Sequence, residues 1–78
     1  MKETKIFLGS IEKVKDFVNE VSRLDCDVDI VSGRYVIDAK SIMGIFSIDL
    51  SKPVNVRIRA EGKEAEKAEQ VIKKFEVK

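Results

Sequence analysis

Histidine is absent from this chain, cysteine and proline each occur once, and only four glycines are present. Each shortage excludes something. Without an imidazole there is no base for a serine triad and no nitrogen ligand for a metal centre. The lone thiol, Cys26, can close neither an internal disulfide nor a multi-cysteine metal site. It stands between Asp25 and Asp27, whose charges disfavour the thiolate, so a small buried hydrophobe is the expected role. No phosphate-binding glycine loop is present, and no cofactor is expected. No apolar run approaches the roughly 18 residues of a spanning helix. Lys2, Glu3 and Lys5 charge the leading residues. A soluble, unexported, cytoplasmic protein with no membrane insertion is therefore expected.

Charge of one sign is also missing. Fifteen basic and fourteen acidic residues are interspersed and leave a formal charge of +1, so there is no net field to hold a nucleic-acid backbone. What is present is apolar: 44% of the 78 residues are hydrophobic, enough for one folded core despite 37% charged residues. The length allows a single domain over residues 1–78 and leaves little room for an elaborate enzyme cleft.

Along the chain, Lys5 to Leu8 alternates, with Ile6 and Leu8 on one side, and predicts a first strand ended by Gly9-Ser10. From Ile11, the positions Ile11, Val14, Phe17, Val18, Val21 and Leu24 recur at three and four residues and predict one helix stripe, with Ser10 as N-cap and Glu12 in the first turn. Asp27 to Val31 and Arg34 to Asp38 predict an antiparallel pair joined at Ser32-Gly33. Ser41 to Leu50 is mostly apolar with Gly44 in its middle; a short helix fits, and an apolar strand stays open. Val54, Val56, Ile58 and Ala60 alternate with polar residues after Pro53, which predicts a half-buried strand. Ala65, Ala68, Val71, Ile72 and Phe75 then form the stripe of a last helix, with Lys73 and Lys74 at its end. Helices with one stripe and strands with alternating faces combine as an α+β protein in two layers, an antiparallel sheet with its helices on one side.

The segment Lys40-Ser41-Ile42-Met43-Gly44-Ile45-Phe46-Ser47-Ile48-Asp49 closely resembles the stretch around the regulatory serine of HPr, the small phosphocarrier of the bacterial sugar phosphotransferase system. Asp25-Cys26-Asp27-Val28 is similar to that family's acidic turn ahead of the second strand. The resemblance implies an open-faced two-layer sandwich of order βαββαβα, with a four-stranded antiparallel sheet in the order 1-4-2-3 under three helices. The family's phospho-acceptor histidine lies in a motif of the type Gly-x-His-Ala-Arg-Pro-Ala at the start of the first helix. Registering the chains through the acidic turn puts Ser10 on the histidine, Glu12 on the arginine and Lys13 on the proline. A serine gives a stable ester instead of a labile phosphoryl carrier, and Glu12 opposes the arriving charge, so phosphotransfer of the family's kind is not expected.

Ser41, by contrast, keeps its whole local motif. In the family this serine is phosphorylated by an ATP-dependent kinase, after which the protein acts as cofactor for a catabolite-control transcription factor. Ile42, Met43 and Phe46 fall where the family exposes an apolar docking patch, while Ile45, Ile48 and Leu50 are expected mainly inside. An unmodified N-cap at Ser41, burial of the patch and a merely solvated Lys40 are the plainer readings of the same residues. Asp25, Asp27 and Asp29 lack the glycine and terminal glutamate of a calcium loop and are expected to form a solvated turn and strand edge.

The resemblance thus implies a non-catalytic, HPr-like regulatory protein. It would work through Ser41 and the apolar helix on other proteins: phosphotransferase components, a serine kinase or a transcriptional regulator. A recruitment or self-assembly module unrelated to sugar transport is the alternative, and an enzyme or phosphocarrier using Ser10 is a third reading.

Overall fold

The computed structural model describes residues 2–77. The elements run β1 (Lys2–Ile6), α1 (Ile11–Val21), β2 (Asp27–Ser32), β3 (Tyr35–Asp38), α2 (Ile42–Phe46), β4 (Val54–Arg59) and α3 (Gly62–Ile72), closed by a 3-10 turn, Lys73–Phe75. The four strands pair antiparallel in the order β1-β4-β2-β3. This is the α+β open sandwich that the resemblance implies.

Alternation decides which side of the sheet each residue serves. Ile6, Val28, Ile30, Val54, Val56 and Ile58 turn toward the helices and are buried. From the other layer Val14, Phe17 and Val21 of α1, Ile45 of α2, and Ala65, Ala68 and Ile72 of α3 complete the core. Phe17 meets Phe75 edge to face, with ring centroids 5.2 Å apart, which fastens the end of the chain to α1. Cys26 is buried in the same core, as its setting implied. Gly33 takes φ +57° in the connection between β2 and β3, a conformation that favours glycine and lets Ser32 and Tyr35 pair directly.

Several sequence expectations shift. β1 begins at Lys2 and ends at Ile6, because its extent is set by pairing with β4 from Lys2↔Ile58 to Ile6↔Val54. Phe7 instead donates its amide to Phe75 O at 3.1 Å. Ile11 is 61% exposed: a helical Cβ tilts toward the N-terminus, and from the first residue of α1 it projects beyond the helix. Phe75 belongs to the 3-10 turn and not to α3, yet it still reaches the core.

The expected solvated edge at Asp25, Asp27 and Asp29 is corrected at Asp29. β2 lies between β4 and β3, and Asp29 is buried. Its carboxylate meets Arg59 Nε at 3.0 Å, whereas Asp27, largely exposed, reaches the same guanidinium only at 3.9 Å.

Candidate functional site

Two helix starts hold the residues singled out from the sequence. At α1 the Ser10 Oγ accepts a hydrogen bond from the Lys13 amide at 3.2 Å, and Ser10, Glu12 and Lys13 are exposed. Ser10 is thus an N-cap: extended at φ −149°, ψ 159°, it satisfies one of the amides the first turn leaves unpaired.

At α2 the same device recurs. Ser41 is the N-cap, and its Oγ accepts from the Gly44 amide at 3.2 Å. The hydroxyl is half-buried, and α2 itself touches both α1 and β3. Gly44 is what allows the approach to β3: a Cβ built on it would stand 2.7 Å from Ile37 Cγ2 and 3.1 Å from Ser41 Oγ. The mid-segment glycine that blurred the periodicity is therefore a packing requirement.

The apolar residues of α2 divide by face. Ile45 is fully buried, and Ile42, Ile48 and Leu50 are half-buried against the core. Met43 is 77% exposed and Phe46 is 39% exposed. The uncovered part of the expected patch is therefore Met43 with Phe46, while Ile42, three residues before buried Ile45 and so on the same helix face, is partly buried against the core.

Lys40 is not merely solvated. Its ammonium donates to the Leu24 carbonyl at 2.9 Å and its amide to Asp38 Oδ1 at 2.9 Å, which ties the start of α2 to the segment leaving α1. Nothing in local sequence signals this bond, since its two ends lie 16 residues apart. Beyond α2, Asp49 accepts from the Ser51 hydroxyl at 2.6 Å and from the Ser51 amide at 2.9 Å. These bonds, with Lys52 adding a smaller attraction, hold the Asp49 carboxyl below the usual aspartate value. Among the described residues no cluster of three or more His, Cys, Asp or Glu side chains is placed to hold a metal ion, and no helix is long and apolar enough to cross a membrane.

An open-faced sheet under serine-capped helices defines the class of small α+β sandwiches to which this protein belongs by fold. A family model described as the PTS HPr component phosphorylation site matches residues 13–76, and the chain accordingly belongs to the HPr family of the phosphotransferase system. The match begins at Lys13, past Ser10 and Glu12. Among solved structures, HPr-C-His from Thermoanaerobacter tengcongensis superimposes with a TM-score of 0.79 at 23% identity, covering 96% of this chain and 91% of that one. A phosphocarrier protein HPr from Bacillus anthracis gives a TM-score of 0.73 at 23% identity, with 96% and 94% coverage. No curated protein matches significantly.

Proposed function

We propose that this chain is a regulatory member of the HPr family that carries no phosphohistidine, catalyses no reaction, and acts in a bacterial cytoplasm by protein contact through Ser41 and the adjacent apolar helix. Residues 1–78 serve it as a single domain. The observation that supports this most is the contrast between its two capped helices. At α1 the family's histidine position is held by Ser10, already engaged as a cap, with acidic Glu12 close behind. At α2 the regulatory-serine motif is intact, and Met43 and Phe46 stand uncovered beside it.

A phosphate on Ser41 would add a charge of roughly −2 next to the Gly44 amide, which already points at the hydroxyl. The fold need not change to receive it. Lys40, one residue before Ser41, keeps its charge while its ammonium donates to the Leu24 carbonyl, and so offsets part of the added charge without covering the phosphate. A kinase or transcriptional regulator with a basic contact and an apolar pocket for Phe46 suits such a surface.

Incubation with the family's serine kinase and ATP, read by mass spectrometry, tests the proposal. One added phosphate, abolished by Ser41→Ala, is expected. No phosphate under conditions that fully modify an ordinary HPr would overturn the regulatory reading and favour a repurposed recruitment module. In parallel, enzyme I with phosphoenolpyruvate should leave the chain unlabelled; stoichiometric acid-labile label would restore a phosphocarrier role.

A further inference from the structure

The two edges of the sheet are finished differently. Along β1, Glu76 pairs with Ile6, the Phe7 amide donates to Phe75 O, and the Val77 amide donates to Lys5 O at 3.1 Å, so the end of the chain covers part of that edge. Along β3, nothing among the described residues pairs with the outer side. Exposed edges are ordinarily guarded by shortness, by charged side chains and above all lysine, by a proline, a bulge or a covering segment, and β3 has the first in its four residues and a single charge in Asp38. The sequence Tyr35-Val36-Ile37-Asp38 supplies no lysine or proline, and Tyr35 and Val36 are 69% and 58% exposed.

The pairing of β3 with β2 fixes which backbone groups are free. Tyr35 faces Ser32 across the two-residue turn, Ile37 faces Ile30, and the Ala39 amide donates to Val28 O at 2.8 Å. Hydrogen-bonding residues alternate along an antiparallel pair, so Tyr35, Ile37 and Ala39 turn their amides and carbonyls toward β2. Val36 therefore directs its N–H and C=O at the open edge.

A residue with both groups outward is where a two-fold axis can sit. With Val36 opposite Val36 of a second copy, the two residues exchange both hydrogen bonds, Tyr35 falls opposite Ile37, and Arg34 falls opposite Asp38. The symmetry makes that last pairing twice. Neither Arg34 nor Asp38 forms an ion pair among the described residues, and Asp38 uses only Oδ1, for the Lys40 amide. The strand together with the turn residue before it is thus complementary to itself read backwards: basic Arg34 in the turn, apolar residues in the strand, acidic Asp38 at its end. An arbitrary extended peptide would satisfy the backbone, but the charge order selects a second copy of this chain.

We propose that the protein self-associates as a two-fold dimer through the β3 edge, joining two sheets into one continuous sheet. This is independent of any role for Ser41. A strand of four residues makes a small contact, so the association is weak and is read at roughly 0.1–1 mM protein.

Sedimentation velocity and amide NMR over a concentration series provide the test. The expected result is a monomer–dimer equilibrium whose concentration-dependent amide shifts centre on residues 34–38. Val36→Lys, which sets like charges across the axis at an exposed position, should abolish association while leaving the fold intact. Arg34→Asp and Asp38→Lys should each weaken it about tenfold or more, and an equimolar mixture of the two should recover it, because the heterodimer pairs opposite charges at both ends. The proposal is overturned if the wild type stays monomeric throughout. It is equally overturned if Val36→Lys associates as before, if the shifts centre elsewhere, or if the mixture binds no better than either variant alone.

Discussion

Gly44 approaches Ile37 so closely that a Cβ on the glycine would come within 2.7 Å of the Ile37 Cγ2 methyl. Alanine is preferred to glycine inside a helix by about 1 kcal/mol. Here that gain is opposed by the clash, since a β-branched neighbour has little rotamer freedom to move aside and overpacking costs about 1–3 kcal/mol. The Ser41 hydroxyl is crowded as well. Gly44→Ala should therefore destabilise by about 1–2 kcal/mol, seen as a lower midpoint in urea; a raised midpoint would show that Ile37 yields freely.

Phenylalanines at two depths should separate stability from binding. Phe17 is fully buried against Phe75, so Phe17→Ala should cost about 3–5 kcal/mol. Phe46 stands outside the core and keeps 39% of its surface in solvent, so Phe46→Ala should cost less than about 1.5 kcal/mol while weakening partner binding about tenfold or more. Denaturant unfolding of both variants beside a binding titration of the second measures this. A core-sized loss at Phe46 would remove the docking role.

Arg59 serves two aspartates of unequal burial. Arg59→Ala would leave the Asp29 carboxylate buried without its 3.0 Å partner, for an expected loss of about 1–3 kcal/mol. Asp27→Ala removes only a long contact at an exposed site and should cost less than about 0.5 kcal/mol. Equal losses in urea would show that the outer face of the sheet does not distinguish the two.

The Asp49 carboxyl should titrate below an ordinary aspartate because the Ser51 hydroxyl and amide bond its charged form. A carboxyl lowered in the folded state contributes stability that is present above its unfolded pKa and is lost as pH falls through the folded value. Ser51→Ala should move the titration upward, toward the ordinary value, in a carbon-detected NMR pH series. No movement would assign the shift to Lys52 instead.

Local periodicity carried most of the fold. The alternation of Val54, Val56 and Ile58 and the spacing of Val14, Phe17 and Val21 each put buried residues where the structure has them, because a helix or strand with one apolar side has one way to lie. The strand order came through only by resemblance, since sheet neighbours are set by long-range pairing that no window of sequence contains. The same limit hid the first three residues of β1, Lys2 to Thr4, a polar run with no apolar alternation to mark it until β4 lies beside it. Near Ser41 the N-cap was legible, because the hydroxyl and the amide it accepts from are three residues apart. The Lys40 bond to Leu24 and the fit of Gly44 on Ile37 were not, because each depends on where α2 comes to rest.

Cys26, the sole thiol and a buried one, gives the molecule an internal stability gauge. An alkylating reagent can reach its sulfur only when the surrounding core opens, so the modification rate in water reports the free energy of that opening without denaturant whenever reclosing outpaces reaction. Each substitution above could then be ranked under native conditions by a single mass increment per chain. Opening confined to the Cys26 region would separate from complete unfolding as a modification rate insensitive to changes at Gly44 or Arg59.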